Sequence, residues 1–245
     1  MAFTAADVKK LREMTNVGMM DCKKALTEAD GDFDKAIELL REKGLAKAAK
    51  KADRIAAEGV VCATVCDDCG VGAIIEVNSE TDFVAKNADF QQFVADLAGV
   101  VMKEAPADVE ALKACKMGDL TVQEVLQEKV LTIGENIQIR RFDRFDESTV
   151  NVAYTHMGGV IGVLVGLQVS DNLKGNATVK ELGKDIGMQA AAMNPSFMDK
   201  SEVDEATLAK EKEILLIQAL EENKNAAKPK PEQIIHKMVE GRIGK

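Results

Sequence analysis

The sequence has no tryptophan, one tyrosine and two histidines in 245 residues. It also lacks an excess of basic charge, its net charge being −9. General nucleic-acid binders neutralise phosphates with a basic surface, so direct nucleic-acid binding is not expected. No apolar run reaches the roughly 20 residues that a membrane-spanning helix needs. The start, "MAFTAADVKK", lacks the charged-then-apolar pattern of a signal peptide. The expectation is a soluble, cytoplasmic chain with no membrane contact. Phosphate-cradling signals are missing too, since no GxxxxGKS/T loop occurs. "GGVIGVLVG" is glycine-rich but leads into a strand, whereas a dinucleotide fingerprint leaves a strand for a helix. His156 and His236 lie far from any cysteine in sequence, and Asp67–Asp68 and Glu221–Glu222 read as turn and surface pairs. Neither a chemical active site nor a cofactor or metal is expected.

The five cysteines, Cys22, Cys62, Cys66, Cys69 and Cys115, are odd in number and are expected to stay reduced in a cytosolic chain. "CATVCDDC" invites a zinc reading, which geometry disfavours. Ligand sulfurs around zinc sit within roughly 4 Å of each other. If "VVCATVC" is a strand, Cys62 and Cys66 lie about 13 Å apart along one face. A fourth ligand is also missing nearby, so small apolar residues in a hairpin are the plainer expectation.

With 46% hydrophobic and 30% charged residues, the chain can bury a core, and its length suits one large or two to three small domains. Thr4 and Asp7 mark a helix start, followed by an apolar stripe at Val8, Leu11 and Met14. A second helix runs through "MMDCKKALTEA" to Gly31. Asp32 caps a third, with Phe33, Ala36, Ile37 and Leu40 inward and Gly44 as its expected end. "LAKAAKKADRIAAEG" reads as a helical linker. It lies in a locally basic stretch, with six basic and two acidic residues from Arg41 to Arg54, a net of +4. "VVCATV" and "VGAIIEV" form a hairpin around "DDCG". Helices follow at "DFQQFVADLAGVVM" and "LTVQEVLQEKVLTIG", the latter ending at Gly134, and then a strand at "NIQIRRFDRF".

Hairpin, loop and helix then recur. "VNVAYTHMGGVIGVLVGLQV" and "TVKELGKDIGMQAAAM" repeat the earlier order at similar spacing, which points to a duplicated α+β unit with helices on antiparallel sheets. A long helix is expected from Ser201 to about Glu222, with Ser201 and Asp204 at its start. Its four consecutive apolar residues, Ile214 to Ile217, cover most of the circumference. Two prolines in "NKNAAKPKP" break it, and "EQIIHKMVEG" returns as an αα-hairpin, a short coiled coil wide enough to dock itself or another chain. One stretch resists a core explanation. "NSETDFVAK" is polar almost throughout yet carries Phe83 in its middle.

Several of these strings, "VKKLREMTNVGMMDCKKAL", "KAAKKADRIAAEG", "NSETDFVAKNADF", "IGENIQIRR", "HMGGVIGVLV" and "HKMVEGRIGK", resemble the elongation factor Ts family in order and from end to end. The resemblance implies an α+β fold: an N-terminal three-helix, ubiquitin-associated-like bundle with its linker (residues 1–55), then two related subdomains, N (56–147) and C (148–245). A helical hairpin at about 199–237 is inserted in the second. It also implies guanine-nucleotide exchange on elongation factor Tu, in its nucleotide-free or GDP form, with self-association through the hairpin as a further possibility. By the family pattern the N-terminal module docks on the partner's nucleotide-binding domain. Asp82 and Phe83, flanked by Thr81 and Val84, reach beside its magnesium and phosphate site. Lys23, Ile133, Gly134 and His156 match other contact positions, and Leu11, Arg12, Met19 and Met20 lie on the module's docking side. The family continues past "EGRIGK" with a further strand and a "QPFV"-like segment. Without that strand the second subdomain is expected to carry an open sheet edge, an aggregation liability.

Two other classes of function fit parts of the chain. A ubiquitin-associated-type adaptor would use the "GMM" surface and have no need of Phe83. A thiol enzyme would use Cys22.

Overall fold

The computed structural model describes residues 3–15, 17–51, 53–225 and 228–243, with side chains at all of these except 45–50. The chain divides into two compact units, 1–193 and 194–245.

The first unit starts with three helices, α1 (Ala5–Thr15), α2 (Met19–Glu28) and α3 (Phe33–Lys51). Their ends follow local chemistry. The Thr4 amide and hydroxyl both donate to Asp7 Oδ2, at 2.7 and 2.8 Å. Asp32 Oδ1 accepts the Lys35 amide at 3.1 Å. Gly31 adopts φ 88° and donates to the Leu26 carbonyl at 2.9 Å, which stops α2. Val8, Leu11, Cys22, Ala25, Leu26, Ala36 and Leu40 form the bundle's core.

An α+β body comes next. Strands β1 (Glu58–Val65) and β2 (Gly72–Ser79) form a hairpin, then come a one-turn helix α4 (Asp82–Ala85) and α5 (Ala88–Glu104). Further on are α6 (Val109–Ala114), a two-residue ribbon of β3 (Lys116–Met117) and β4 (Leu120–Thr121), α7 (Val122–Ile133) and β5 (Gln138–Phe145). Sequence periodicity does not reveal α4, α6, β3 or β4, because each is too short to show a period. β1, β2 and β5 make an antiparallel sheet in the order β1-β2-β5, with Glu58 opposite Ser79 and Gly72 opposite Phe145. Its alternation is strict at the centre. Ala73, Ile75 and Val77 face a core shared with Phe90, Phe93, Val94, Leu97 and Val101 of α5 and Leu126 and Val130 of α7. Fully burying Phe90, Phe93 and Leu97 stabilises this layer by roughly 1.5–3 kcal/mol each.

The second copy of the pattern is β6 (Val150–His156), β7 (Ile161–Leu167) and α8 (Ala177–Met193). Gly158 and Gly159, both at positive φ, turn the hairpin as expected. β6 and β7 form a two-stranded antiparallel sheet among the described residues. Its inner face packs on the outer face of the first sheet. A Cβ placed on Gly162 would lie 2.5 Å from Val61 Cγ1, so only glycine lets the sheets approach this closely. On the other face, the buried Gly183 and Gly187 seat α8 on Val152 and Tyr154. The order of layers is helix, sheet, sheet, helix.

One expected boundary needs correction. α3 does not end at Gly44 but runs on to Lys51, through part of the stretch read as a linker. Gly44 is buried against α7, next to Leu131 and the Gln127 carbonyl. Leu131 in turn joins the N-terminal core. An internal glycine costs a helix about 1 kcal/mol relative to alanine, and α3 continues past it in contact with α7.

The second unit holds α9 (Glu205–Lys224) and α10 (Glu232–Ile243). The start of α9 also differs from expectation. Ser201 lies in a 3-10 turn, Lys200–Glu202, capped by Asp199. Asp204 caps α9 by accepting the Thr207 amide and hydroxyl at 2.8 and 2.7 Å. Leu215, Leu216, Ala219 and Leu220 pack on Ile235 and Val239 of α10. Ile214 and Ile217 stay 38% and 56% exposed, so within the hairpin only one side of the apolar run is covered.

Candidate partner-binding site

β2 delivers the chain to "SETDFVAK", and a carboxylate clamp holds the residues just past the strand. Glu135 Oε2 accepts the backbone amides of Glu80 and Thr81, both at 3.0 Å, and its Oε1 accepts the Thr81 hydroxyl at 2.7 Å. Glu80 Oε1 reciprocates by accepting the Asn136 amide at 2.6 Å, and it lies 3.5 Å from Arg54. Asn136 Nδ2 reaches the Arg54 carbonyl at 2.8 Å. Gly134 sets up this geometry. It closes α7 at φ 87° and donates to the Val130 carbonyl at 3.1 Å, and the turn presents Glu135 to the end of β2. Lys51 donates to the Gly134 carbonyl, which ties the end of α3 to the same corner.

The segment around Phe83 is thus a short helix, not the open loop its polarity predicts. Thr81 sits at the N-cap of α4 in extended conformation, its hydroxyl committed to Glu135. Asp82 Oδ2 pairs with Lys86 Nζ one turn later, at 2.6 Å. The hydrogen bond and charge of Lys86 hold the Asp82 carboxyl below its ordinary range, and Asp82 raises the Lys86 amine in return. Val84 and Ala85 pack on the main core. At about 100° per residue the same turn sends Phe83 outward, and it is 81% exposed. An aromatic ring on a turn anchored from both sides is a preformed projection.

The other candidate residues fall into distinct places. Leu11, expected on a docking side, has no exposed surface and belongs to the bundle core. It shapes that side only by holding α1 on α2. Arg12, Met19, Met20 and Lys23 are exposed on α1 and α2, joined by Met14. Ile133 is half-buried against the main core, and Gly134 is exposed. His156 is exposed at the end of β6, where its Nδ1 lies 2.9 Å from the Tyr154 hydroxyl.

Tertiary structure adds residues to the Phe83 corner. The β6–β7 turn reaches β1, with the Gly159 carbonyl accepting the Val61 amide at 2.7 Å. Val61 is three residues from Glu58, whose partner across the sheet is Ser79. The turn and α4 therefore occupy the same end of the sheet layers. Met157 and Val160 are 72% and 65% exposed there, and Ile55, just before β1, is 85% exposed. Apolar residues flanking Gly158–Gly159 give the same signal as Phe83, a large apolar side chain in a turn, and that signal was available in sequence.

No group of three or more described His, Cys, Asp or Glu side chains stands close enough to hold a metal ion. Cys22 is fully buried and its thiol is pushed up by burial, the opposite of what a nucleophile needs. Among the described residues, no helix is long and apolar enough to cross a membrane.

A sequence model described as "Elongation factor TS" matches residues 80–245. Elongation factor Ts of Clostridium perfringens (strain 13 / Type A) is 51% identical over 244 residues, which cover 99% of this chain and 78% of that protein. Elongation factor Ts of Clostridioides difficile (strain 630) is 50% identical over 244 residues, 99% of this chain and 77% of its own length. Half the residues agree over nearly the whole chain, and the model match takes in both the Phe83 turn and the α9–α10 hairpin. The chain belongs to the elongation factor Ts family of translation elongation factors.

Proposed function

We propose that this chain is a cytoplasmic guanine-nucleotide exchange factor for elongation factor Tu, acting through binding with no chemical step of its own. The single observation that carries the proposal is Phe83, exposed on a turn held by Glu135 on one side and by Val84 and Ala85 on the other. Phe83 with Asp82, Thr81 and Val84 is the element presented to the partner's magnesium and phosphate site. Arg12, Met19, Met20 and Lys23 form the docking side of an N-terminal module spanning residues 1–55. Ile133, Gly134 and His156 complete the contact from subdomains N (56–147) and C (148–245). Ile214 and Ile217, on a hairpin at about 199–237, form the surface for self-association.

The physics is linkage. A nucleotide held at nanomolar strength is bound by about 12 kcal/mol. A factor that prefers the empty partner weakens that hold by the same factor by which the nucleotide weakens the factor's own binding. An apolar ring pressed beside a metal–phosphate site displaces the groups that ligate the metal. Its burial gains roughly 1.5–3 kcal/mol toward the distortion. Pre-anchoring the turn lowers the ordering cost of that contact.

The test is stopped-flow release of a fluorescent GDP analogue from elongation factor Tu at saturating factor. Phe83→Ala is expected to keep the melting temperature and slow release about thirtyfold, as loss of about 2 kcal/mol in the exchange transition state requires. Asp82→Ala is expected to slow it less, since Phe83 supplies the ring and Asp82 also pins the turn through Lys86. Release at the wild-type rate with an unchanged melt would remove Phe83 from the mechanism. The exposed Met14, Met19 and Met20 also suit an adaptor that exchanges nothing. Capture of elongation factor Tu that excess GDP does not weaken would favour that second reading.

A further inference from the structure

We infer that Cys66 and Cys69 form a thiol–disulfide exchange site at the β1–β2 turn, one that accepts small-molecule disulfides such as oxidised glutathione and closes an intrachain disulfide. The turn brings the two residues together. The Cys66 amide donates to the Val71 carbonyl and the Gly70 amide to the Cys66 carbonyl, each at 2.9 Å, with Gly70 at φ 71°. Inside this closed loop the Cys69 amide donates to Cys66 Sγ at 3.2 Å. Residues three apart in a tight turn have Cα atoms less than about 7 Å apart, which overlaps the roughly 4.4–6.8 Å that a disulfide spans.

The two thiols are not equivalent. Hydrogen bonds from the Cys69 side chain and amide stabilise the Cys66 thiolate and lower its pKa, against the opposing charge of Asp68. The same contact with Cys66 raises the Cys69 thiol. Cys66 is therefore the attacking group and the exposed Cys69 the resolving one. The remaining cysteines lack this arrangement. Cys22 is buried, the Cys62 thiol is raised by burial against the main core, and Cys115 donates to the Ala111 carbonyl at 3.3 Å.

The chemistry balances in two steps. The Cys66 thiolate attacks one sulfur of the disulfide, forming a mixed disulfide and expelling one thiolate, which takes up a proton. Cys69 then loses its proton and attacks Cys66 Sγ, expelling the second thiolate. The protein gives up two electrons and two protons, and the small disulfide becomes two thiols. Such a bond in a reducing compartment is transient.

The test treats the reduced chain with oxidised glutathione at neutral pH, quenches by alkylation and maps peptides by mass. The peptide carrying Cys66 and Cys69 is expected to lose two hydrogens and resist alkylation, while Cys22, Cys62 and Cys115 alkylate after denaturation. Cys69→Ser is expected to stop at a stable glutathione adduct on Cys66. Cys66→Ser is expected to react more slowly than Cys69→Ser, because only the latter keeps the residue-69 amide donated to Cys66 Sγ. Equal rates for the two variants, lasting adducts on both cysteines of the wild type, or faster oxidation of Cys62 or Cys115 would overturn the assignment.

Discussion

Glu135 is the residue on which the Phe83 turn depends. Its carboxylate accepts three hydrogen bonds from Glu80 and Thr81, and an alanine there leaves two backbone amides without their partner. Hydrogen bonds to a charged group contribute about 1.5–3 kcal/mol. Glu135→Ala is expected to lower stability by about 2 kcal/mol and to loosen α4 while leaving Phe83 in the chain. Amide hydrogen exchange would register this as lost protection at Glu80 and Thr81. Exchange activity should fall, and adding Phe83→Ala should then cost less than it does alone, because both changes disable one element. Retained protection with full activity would mean that the core contacts of Val84 and Ala85 hold the turn unaided.

Among the elements, α3 offers the clearest test of packing against propensity. Gly44 lies inside the helix, where glycine is about 0.8–1.0 kcal/mol less favourable than alanine. An added Cβ would meet Leu131 Cδ2 at 3.5 Å and the Gln127 carbonyl at 3.6 Å, ordinary contact distances. Gly44→Ala is therefore expected to stabilise the protein by about 0.5–1 kcal/mol and raise the thermal midpoint. A lower midpoint would show that the α3–α7 contact has no room for a methyl group. In α9, Leu216 packs inside the hairpin and Ile217 does not. Ile217→Glu is thus the cleaner probe of outward docking, since Leu216→Glu would also damage the hairpin core. Sedimentation and elongation factor Tu affinity should change with Ile217→Glu while helicity stays constant. No change in either would confine the hairpin to a role within its own chain.

For the molecule as a whole, the question is whether the N-terminal bundle detaches. Its core is mostly its own, from Val8 to Leu40, but Leu131 of α7 completes it and Lys51 bonds the Gly134 carbonyl. A chain starting at Ala56 is expected to melt cooperatively, because the main core of Phe90, Leu97, Ile75 and Val130 is intact. Its midpoint should be lower, since Leu131 loses its cover. Binding to elongation factor Tu should weaken through loss of the Met19–Met20 surface, and the Phe83 turn should lose part of its support from Arg54. A truncated chain without a melting transition would make the bundle an integral part of the core.

Local rules alone determined much of this protein. The Thr4–Asp7 box, the Asp32 cap, the Gly31 and Gly134 stops, the two hairpins and their succeeding helices depend on contacts within a few residues, so they are written into neighbouring side chains. The position of Phe83 as an aromatic without a core role was legible for the same reason. Only tertiary structure decided what long-range contacts control. α3 passes Gly44 because α7 supplies packing that its own sequence does not encode. Leu11 and Met20 look alike as apolar helix residues, yet the assembled bundle buries one and leaves the other exposed. Glu80 and Glu135 are 55 residues apart and read as ordinary surface acids until the strand and the helix end bring them together. Met157 and Val160 join Phe83 because glycine at position 162 lets two sheets pack closely enough to place both turns at one end. Burial and clamping are properties of the assembled layers, and no local stretch of the sequence contains them.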